Sequence, residues 1–287
     1  MALAPIRPPP DQDSRGGRSS SVGLLVFPGR AEAEAERPDE ARGQEAHDPC
    51  DPPALQPHDK RIRSFPTTVA INLTERCNLS CRHCCVGSSP VVANEDDLTA
   101  AELSRVFDEL EQGGGVTVRL TGGEPTVRPD FWEIFEDAAS RRFSLVLFTN
   151  GSRIHREDVE RLNAVSKSKG SRFSVHLSLD GGTAETHDFL RNRPGNFERV
   201  LHTMKLFQEK GIHFFLESVL HAARFSPDEV EPVAAIVRGH GATWLSLHTA
   251  DQIGNGQGEA TLALSREDRI RLRDEIRPVI ERWKARG

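Results

Sequence analysis

Six strand-like segments, each followed by a helix-like segment, recur along the chain from residue 67 onward. They lie roughly 30 residues apart, which is the usual length of a βα unit. Repeated βα units favour a parallel sheet with right-handed crossovers, either doubly wound or curled into a barrel. The sequence therefore predicts an α/β fold. Its predicted strands cover residues 67–73, 115–120, 144–151, 172–181, 213–220 and 242–249.

Residues typical of helix ends separate these strands. Thr99 and Glu102 form a capping box before a helix that is predicted to end near Gln112. Gly211 is a typical C-terminal stop for an amphipathic helix that starts at Asn196. The other predicted helices cover residues 130–142 and 157–163, a segment opened by Ser226 and Pro227, and a last, charge-rich segment opened by Ser265 and Asp268.

The first 60 residues differ in composition from the rest of the chain. They hold ten of the 18 prolines and a single aromatic residue, Phe27. Such a segment cannot bury enough apolar surface to offset the entropy of ordering it, which predicts disorder. We therefore expect three parts: a disordered, proline-rich and acidic extension at 1–60, a core at 61–264, and a C-terminal helix at 265–287 that packs on the edge of the core.

Charge and hydropathy exclude several classes of function. The net charge is −6, and no basic stripe interleaved with aromatic residues is present, so no nucleic-acid partner is expected. The apolar run Val22–Phe27 is too short for a membrane span, and the proline-rich start lacks the layout of a signal peptide. We expect a cytoplasmic protein with no membrane partner. In that reducing compartment, clustered thiols indicate metal binding or catalysis more often than disulfides.

The stretch CNLSCRHCC, residues 77–85, places four of the five cysteines directly after the first predicted strand. Thiolates are soft ligands that suit zinc or iron–sulfur clusters. Structural zinc usually takes four ligands in two separated pairs, whereas Cys77, Cys81 and Cys84 share one loop. Three thiolates on a cubic [4Fe–4S] cluster leave one iron open for chemistry. A zinc loop remains the alternative, while Cys85 and Cys50 are expected to be dispensable.

Other unusual residues follow the next three predicted strands. Thr121–Pro125 (TGGEP) follows the second strand, Asn150 and Gly151 end the third, and Asp180 and Gly181 end the fourth. In parallel α/β folds, functional groups collect at the carboxyl ends of the strands. These residues and the cysteines are therefore expected on the same rim.

Together these motifs resemble the radical S-adenosylmethionine (SAM) superfamily. C-x3-C-x-aromatic-C is its cluster motif, with His83 in the aromatic place, and TGGEP matches its SAM-amino-group motif. The resemblance spans about residues 67–249 and includes TNGS at 149–152, SLDG at 178–181, HDFLR at 187–191 and NFERVL at 196–201.

The resemblance implies a partial (β/α)6 barrel similar to a TIM barrel, with one [4Fe–4S] cluster on Cys77, Cys81 and Cys84. It also implies that SAM is cleaved to a 5′-deoxyadenosyl radical that takes hydrogen from a substrate C–H bond. Glycine would let the backbone approach the ligand closely, Glu124 would meet the SAM ammonium, and Arg191 its carboxylate or the substrate. His83 either stacks near adenine or fills space. The implied cofactor-binding residues are His83, Gly122, Gly123, Glu124, Asn150, Ser178, Asp180 and Arg191.

Catalytic side chains are harder to assign. By the two-residue period of a strand, His176 shares a polar face with Ser178 and Asp180. His176, Glu217 and His248 lie on three predicted strands and could face the barrel lumen and the substrate. Alternatively, each is a hydrogen-bonded structural residue.

The HDFLR and NFERVL stretches resemble the branch of the superfamily that modifies peptides and proteins. That branch typically carries a C-terminal cysteine-rich extension, whereas no cysteine follows Cys85 here. Either the enzyme uses one cluster or the chain lacks a tail. The expected partners are a reductant protein of the flavodoxin or ferredoxin type and a peptide or small-metabolite substrate. The non-enzymatic alternative is a binding module stabilised by zinc or by an iron–sulfur cluster.

Overall fold

A computed structural model describes residues 67–93, 96–114, 117–222, 227–250, 252–259 and 261–284. The predicted extension at 1–60 lies outside the described residues. Within them, six strands form one parallel sheet in sequential order, with the first and sixth strands at its edges. The strands are β1 (Thr68–Asn72), β2 (Thr117–Thr121), β3 (Ser144–Thr149), β4 (Phe173–Ser178), β5 (Phe214–Leu220) and β6 (Trp244–Thr249).

Seven α-helices are present in the described ranges. They are α1 (Ala100–Gln112), α2 (Phe131–Ser140), α3 (Arg156–Lys169), α4 (Ala184–Arg191), α5 (Asn196–Lys210), α6 (Pro227–Gly239) and α7 (Arg266–Lys284). A helix thus follows every strand, and this order in an open parallel sheet confirms the predicted partial (β/α)6 fold.

The predicted helix ends are largely confirmed. Thr99 and Glu102 form the capping box of α1, and Gly211 ends α5 with a left-handed φ of 67°. The Ser265 hydroxyl accepts a hydrogen bond from the Asp268 amide at the start of α7. Ser226 lies outside the described residues. The short helix α4 was not predicted as a separate element, because its capping residue Thr183 follows Gly181 and Gly182, which are turn signals.

The two faces of the sheet are packed differently. On the outer face, alternate residues such as Leu147, Leu177 and Leu216 are fully buried beneath the helices with Phe135 and Phe207. Each such side chain contributes about 1.5–3 kcal/mol of hydrophobic free energy. The other face, which we call the inner face, carries the intervening residues of β3, β4 and β5, and these remain only partly buried.

The last helix, α7, packs against α6. Its Ile276 and Val279 are buried in the main core, and Arg282 forms an ion pair with Glu231 of α6. In the part of the chain that is described, no helix combines the length and apolar character needed for a membrane span.

Candidate cofactor site

The cysteine loop between β1 and α1 gathers three of its thiols. Cys77 and Cys81 are buried and pack with Leu79, and the partly buried Cys84 packs against the same group. Cys85 is exposed. The four cysteines of this loop form no disulfide. The structure therefore brings together the thiols that the sequence predicts as ligands and separates the one predicted to be dispensable.

Burial keeps two of these thiols, those of Cys77 and Cys81, protonated. Burial raises the pKa of Cys77 to about 12, although the Leu79 amide donates to its Sγ over 3.4 Å; Glu124 and the other two thiols raise it further. Burial also raises the pKa of Cys81, against the opposing effect of Arg191. A metal that binds here would replace these protons.

The donor set fits an iron–sulfur cluster. Desolvated thiols with soft sulfur atoms are the ligands that such clusters use. Within the described ranges, no group of three or more His, Cys, Asp or Glu side chains has the arrangement of a site for a metal ion. A cubic cluster binds each thiolate through a different iron, so its ligands need not converge on one point.

Gly122 and Gly123 allow the loop after β2 to pack closely against the backbone of residues 74–76. A Cβ at Gly123 would lie 2.2 Å from the Arg76 carbonyl oxygen, and one at Gly122 would lie 2.3 Å from the Thr74 oxygen. The Gly123 amide donates to the Thr74 carbonyl over 2.7 Å. The loop after β2 therefore packs directly against the backbone that precedes Cys77.

Glu124 lies between the loops that follow β2 and β3. Its carboxylate is buried, and its partners are protein donors: both the amide and the hydroxyl of Thr126, the Thr149 hydroxyl and the Asn150 amide. Burial raises the pKa of this carboxyl, while the Asn150 amide and the other donors oppose that shift. Glu124 therefore joins the end of β2 to the end of β3.

Asn150 connects the end of β3 to the cysteine loop. Its Nδ2 donates to Asn78 Oδ1 over 3.0 Å and lies 3.8 Å from Cys77 Sγ, and its Oδ1 accepts from the Ser152 hydroxyl and amide. Asn78 in turn donates to Ser152 Oγ over 2.9 Å. The predicted site residue Asn150 is thus beside a predicted ligand, and Asn78 and Ser152 complete the contact.

A buried ion pair holds the other side of the cysteine loop. Arg191 Nε lies 2.6 Å from Asp180 Oδ2, and Arg191 Nη1 donates to Cys81 Sγ over 3.8 Å. Asp180 Oδ1 accepts from the Val219 amide, and His83 Nε2 lies 3.5 Å from Asp180 Oδ2. Burial lowers the pKa of His83 to about 4, so its imidazole is neutral. Asp180 therefore orients Arg191 toward the thiols.

Asn255 is a site residue that the sequence did not single out. The 3-10 helix Gly254–Gly258, which follows β6, lies directly on the cysteine loop. The Asn255 amide donates to the Cys84 carbonyl over 2.8 Å, and its Nδ2 donates to the Cys81 carbonyl over 2.9 Å. A Cβ at Gly254 would lie 2.2 Å from the Cys84 oxygen. The glycine-rich GNGQG segment was the only signal for this contact, and its composition alone also indicates an ordinary turn.

On the inner face, three polar residues form one hydrogen-bonded cluster. His176 Nδ1 and His248 Nε2 each lie 2.6 Å from a different oxygen of Glu217. Burial raises the pKa of Glu217, but the hydrogen bonds from the two histidines outweigh it and lower the pKa to about 2. The bond to Glu217 raises the pKa of His248. Ser178 is a register neighbour of Glu217, and its side-chain hydroxyl makes no hydrogen bond to a described residue.

Aromatic rings lie beneath this cluster. Phe148, His176, Phe215 and Trp244 are neighbours in register across β3 to β6. The His176 ring centroid is 4.5 Å from that of Phe148 and 4.8 Å from that of Phe215. The inner face therefore has an apolar floor with an acid–base cluster above it.

A family model described as the radical SAM superfamily matches residues 71–222. This range contains the cysteine loop, the TGGEP loop and the Asp180–Arg191 pair. The chain belongs to the radical SAM superfamily, whose members are enzymes that use a [4Fe–4S] cluster and SAM.

The chain is also similar to individual curated proteins. It is 31% identical over 211 residues to the AdoMet-dependent heme synthase of Methanosarcina barkeri, a match that covers 74% of this chain and 58% of that protein. It is 32% identical over 216 residues to the mycofactocin maturase MftC of Mycobacterium tuberculosis, with coverages of 70% and 53%. The chain therefore spans a little over half the length of these relatives.

Among solved structures, SuiB of Streptococcus suis bound to S-adenosylmethionine has the same fold. The two superpose with a TM-score of 0.65 at 20% identity, covering 77% of this chain and 49% of SuiB.

Proposed function

We propose that this protein is a radical SAM enzyme that cleaves SAM reductively and abstracts hydrogen from a substrate C–H bond, in the maturation of a peptide, protein or cofactor. The observation that carries the proposal is the packing of Cys77, Cys81 and the partly buried Cys84 into one group at the carboxyl ends of a parallel sheet. We assign these thiols as the ligands of one [4Fe–4S] cluster, with residues 61–264 as the catalytic core.

When bound, the cluster and SAM supply a 5′-deoxyadenosyl radical. The protein's own groups bind and orient. Arg191, held by Asp180, places a cation beside Cys81, where it would stabilise an anionic cluster or the SAM carboxylate. Ser178 offers a free hydroxyl at the mouth of the inner face, suited to a ribose hydroxyl.

The loop residues position these groups. Glu124 fixes the Asn150 amide over 2.7 Å, and Asn150 contacts Cys77. We therefore assign Glu124 an indirect role: it supports the site through Asn150 and does not bind the SAM ammonium with its buried carboxylate. Gly122 and Gly123 support the site in the same indirect way, by seating the TGGEP loop on the cysteine loop.

On the substrate side, we assign His248, Glu217 and His176 to proton handling. The carboxylate of Glu217 stays ionised between two imidazoles, and His248 is half-exposed at the upper end of the cluster. His248, whose pKa is raised by its bond to Glu217, can take up a proton at this exposed end, while the ionised Glu217 holds the orientation of both histidines. The aromatic floor beneath would accept an apolar part of the substrate.

A peptide is the substrate class best supported by the relatives. MftC is a mycofactocin maturase, and SuiB has also been solved bound to its precursor peptide SuiA, with a TM-score of 0.65 to this chain. We place the enzyme in the cytoplasm, where a flavodoxin or ferredoxin would supply electrons.

The test is anaerobic reconstitution with iron and sulfide, followed by reduction with dithionite in the presence of SAM. Methionine and 5′-deoxyadenosine should both form, even without substrate. A protein that carries a full cluster but neither binds nor cleaves SAM would refute the proposal. Zinc without a visible absorption band would favour a metal-stabilised binding module instead.

A further inference from the structure

A basic cleft of about 440 Å³ lies on the outside of the cysteine loop. Its walls come from the loop itself, the turn after β3, and the α4–α5 turn with the first turns of α5. The residues that line it are Asn78, Pro90, Ser152, Arg153, His155, Arg193 and Arg199. No carboxylate is among them, so the cleft carries three cations with no anion of its own.

The three arginines of the cleft are exposed and unpaired. None of Arg153, Arg193 and Arg199 makes an ion pair with a described residue, whereas other surface arginines, such as Arg161 with Glu136 over 2.6 Å, do. They come from three separate elements, so their convergence is not the result of one basic helix. On a chain with a net charge of −6, such a patch attracts an acidic surface.

The cleft is close to the thiols. Asn78, which forms part of its wall, directly follows Cys77 in sequence and accepts a hydrogen bond from Asn150 over 3.0 Å. The Nδ2 of that same Asn150 lies 3.8 Å from Cys77 Sγ. One layer of side chains therefore separates the surface of the cleft from the proposed cluster ligands.

We infer that this cleft docks an acidic one-electron carrier protein with an exposed flavin or iron–sulfur cofactor. The inference rests on the proposed function, because a protein whose cluster must be reduced requires such a partner. The donor would lose one electron and the enzyme would gain it, with no atom transferred. Charge complementarity favours an acidic carrier, and the short path to Cys77 favours a partner that exchanges electrons over one that only binds.

Binding of oxidised flavodoxin, followed by isothermal titration calorimetry at low ionic strength, tests the inference on the full chain. The double variant Arg153→Glu with Arg199→Glu should bind at least about tenfold more weakly than wild type, because reversed charges repel an acidic partner. The difference in affinity between this variant and wild type should shrink at 1 M salt, where the Debye length is about 3 Å and charges are screened. The variant Arg153→Lys with Arg199→Lys, which keeps the charge, should bind nearly as wild type.

The control is Arg266→Glu with Arg277→Glu, which changes the net charge equally at exposed positions on α7. It should bind flavodoxin nearly as wild type. Three results would each overturn the inference. The first is equal weakening of flavodoxin binding by the Arg153→Glu/Arg199→Glu variant and by the control variant. The second is no weakening by the Arg153→Glu/Arg199→Glu variant, and the third is no binding of flavodoxin to wild type. A cleft that instead holds an acidic segment of a peptide would give the second of these outcomes.

A kinetic measurement separates this inference from the proposed function. The rate of 5′-deoxyadenosine formation with reduced flavodoxin is divided by the rate with dithionite, which needs no docking surface. The inference expects this ratio to fall about tenfold in the cleft reversal. A wild-type protein that fails with dithionite refutes the proposed function, whereas an unchanged ratio in an active protein refutes only the docking surface.

Discussion

Two regions of the same sheet differ in how their polar side chains are hydrogen-bonded. One is the rim, formed by the loops at the carboxyl ends of the strands, and the other is the inner face. At the rim, Glu124 and Asp180 are buried, and protein donors hold their carboxylates. On the inner face, the Glu217 cluster is only partly covered, and 55% of the His248 side chain is exposed. Protein groups therefore fix the carboxylates of the rim, whereas the inner face keeps acid–base groups that are accessible from outside.

This difference indicates that the rim and the inner face have different roles. A site that handles one invariant cofactor gains from preorganised contacts, because they cost nothing to reorganise when the ligand binds. A surface that contacts a substrate needs unsatisfied hydroxyls and accessible acid–base groups.

The largest effect is expected from the thiols. Cys77→Ala, Cys81→Ala and Cys84→Ala should each lose nearly all bound iron after anaerobic reconstitution, because no further thiol packs in that group. Cys85→Ala is the matched control and should keep its iron, since Cys85 is exposed. Iron and sulfide assays with the visible spectrum measure this. Loss of the cluster in Cys85→Ala, with retention in Cys84→Ala, would show that the ligand assignment is wrong.

The buried ion pair should give the next largest effect. Arg191→Met leaves the Asp180 carboxylate buried without its cation, which typically costs about 3–5 kcal/mol of unfolding free energy. Lys210→Met breaks the surface pair with Glu160 (2.6 Å), in which the carboxylate side chain is 53% exposed, and should cost far less. Denaturant unfolding of the metal-free proteins compares the two. If the two variants lost equal unfolding free energy, the buried pair at the rim would contribute no more to stability than an ordinary surface pair.

Substitution of Gly123 tests how closely the TGGEP loop packs against the cysteine loop. A Cβ there would lie 2.2 Å from the Arg76 oxygen, so Gly123→Ala should displace one loop and cost about 1–3 kcal/mol. Gly239→Ala, where a Cβ would meet nothing within 4 Å, should be neutral or slightly stabilising. Unfolding free energies and iron retention are the measurements. A neutral Gly123→Ala would mean that the rim tolerates movement.

The sequence predicted more of the fold and the rim than of the contacts between loops. Periodicity and caps located every strand and most helices, because these signals are local. The C-x3-C-x2-C spacing likewise located the three thiols that pack together. Contacts between distant segments leave no local signal, so the sequence did not reveal that Glu124 accepts hydrogen bonds from Thr149, at the end of β3, and from Asn150, directly after it. Asn255 was missed for the same reason, since it is 174 positions from Cys81, whose carbonyl it contacts.

Substitution in the Glu217 cluster of the inner face is expected to have the smallest effect on the unfolding free energy. This effect should depend on pH. The folded-state pKa of Glu217 is lowered to about 2, so its contribution to stability is present above its unfolded value, about pH 4.3, and is lost as pH falls through about 2. The pKa of His248 is raised, so its contribution is present below its unfolded value, about pH 6.5, and is lost as pH rises through the folded value. Both contributions coexist between these limits.

Glu217→Gln should therefore lower the unfolding free energy most between about pH 4.5 and 6.5, on the order of 1 kcal/mol because the cluster is partly solvated. The difference from wild type should narrow on either side of that window. Denaturant unfolding of wild type and variant at a series of pH values measures it, with Glu160→Gln, from an exposed pair, as the control. A difference that stays constant with pH would mean that Glu217 is held by packing alone. In that case the inner face would be as fixed as the rim, and its cluster would not be available to move protons.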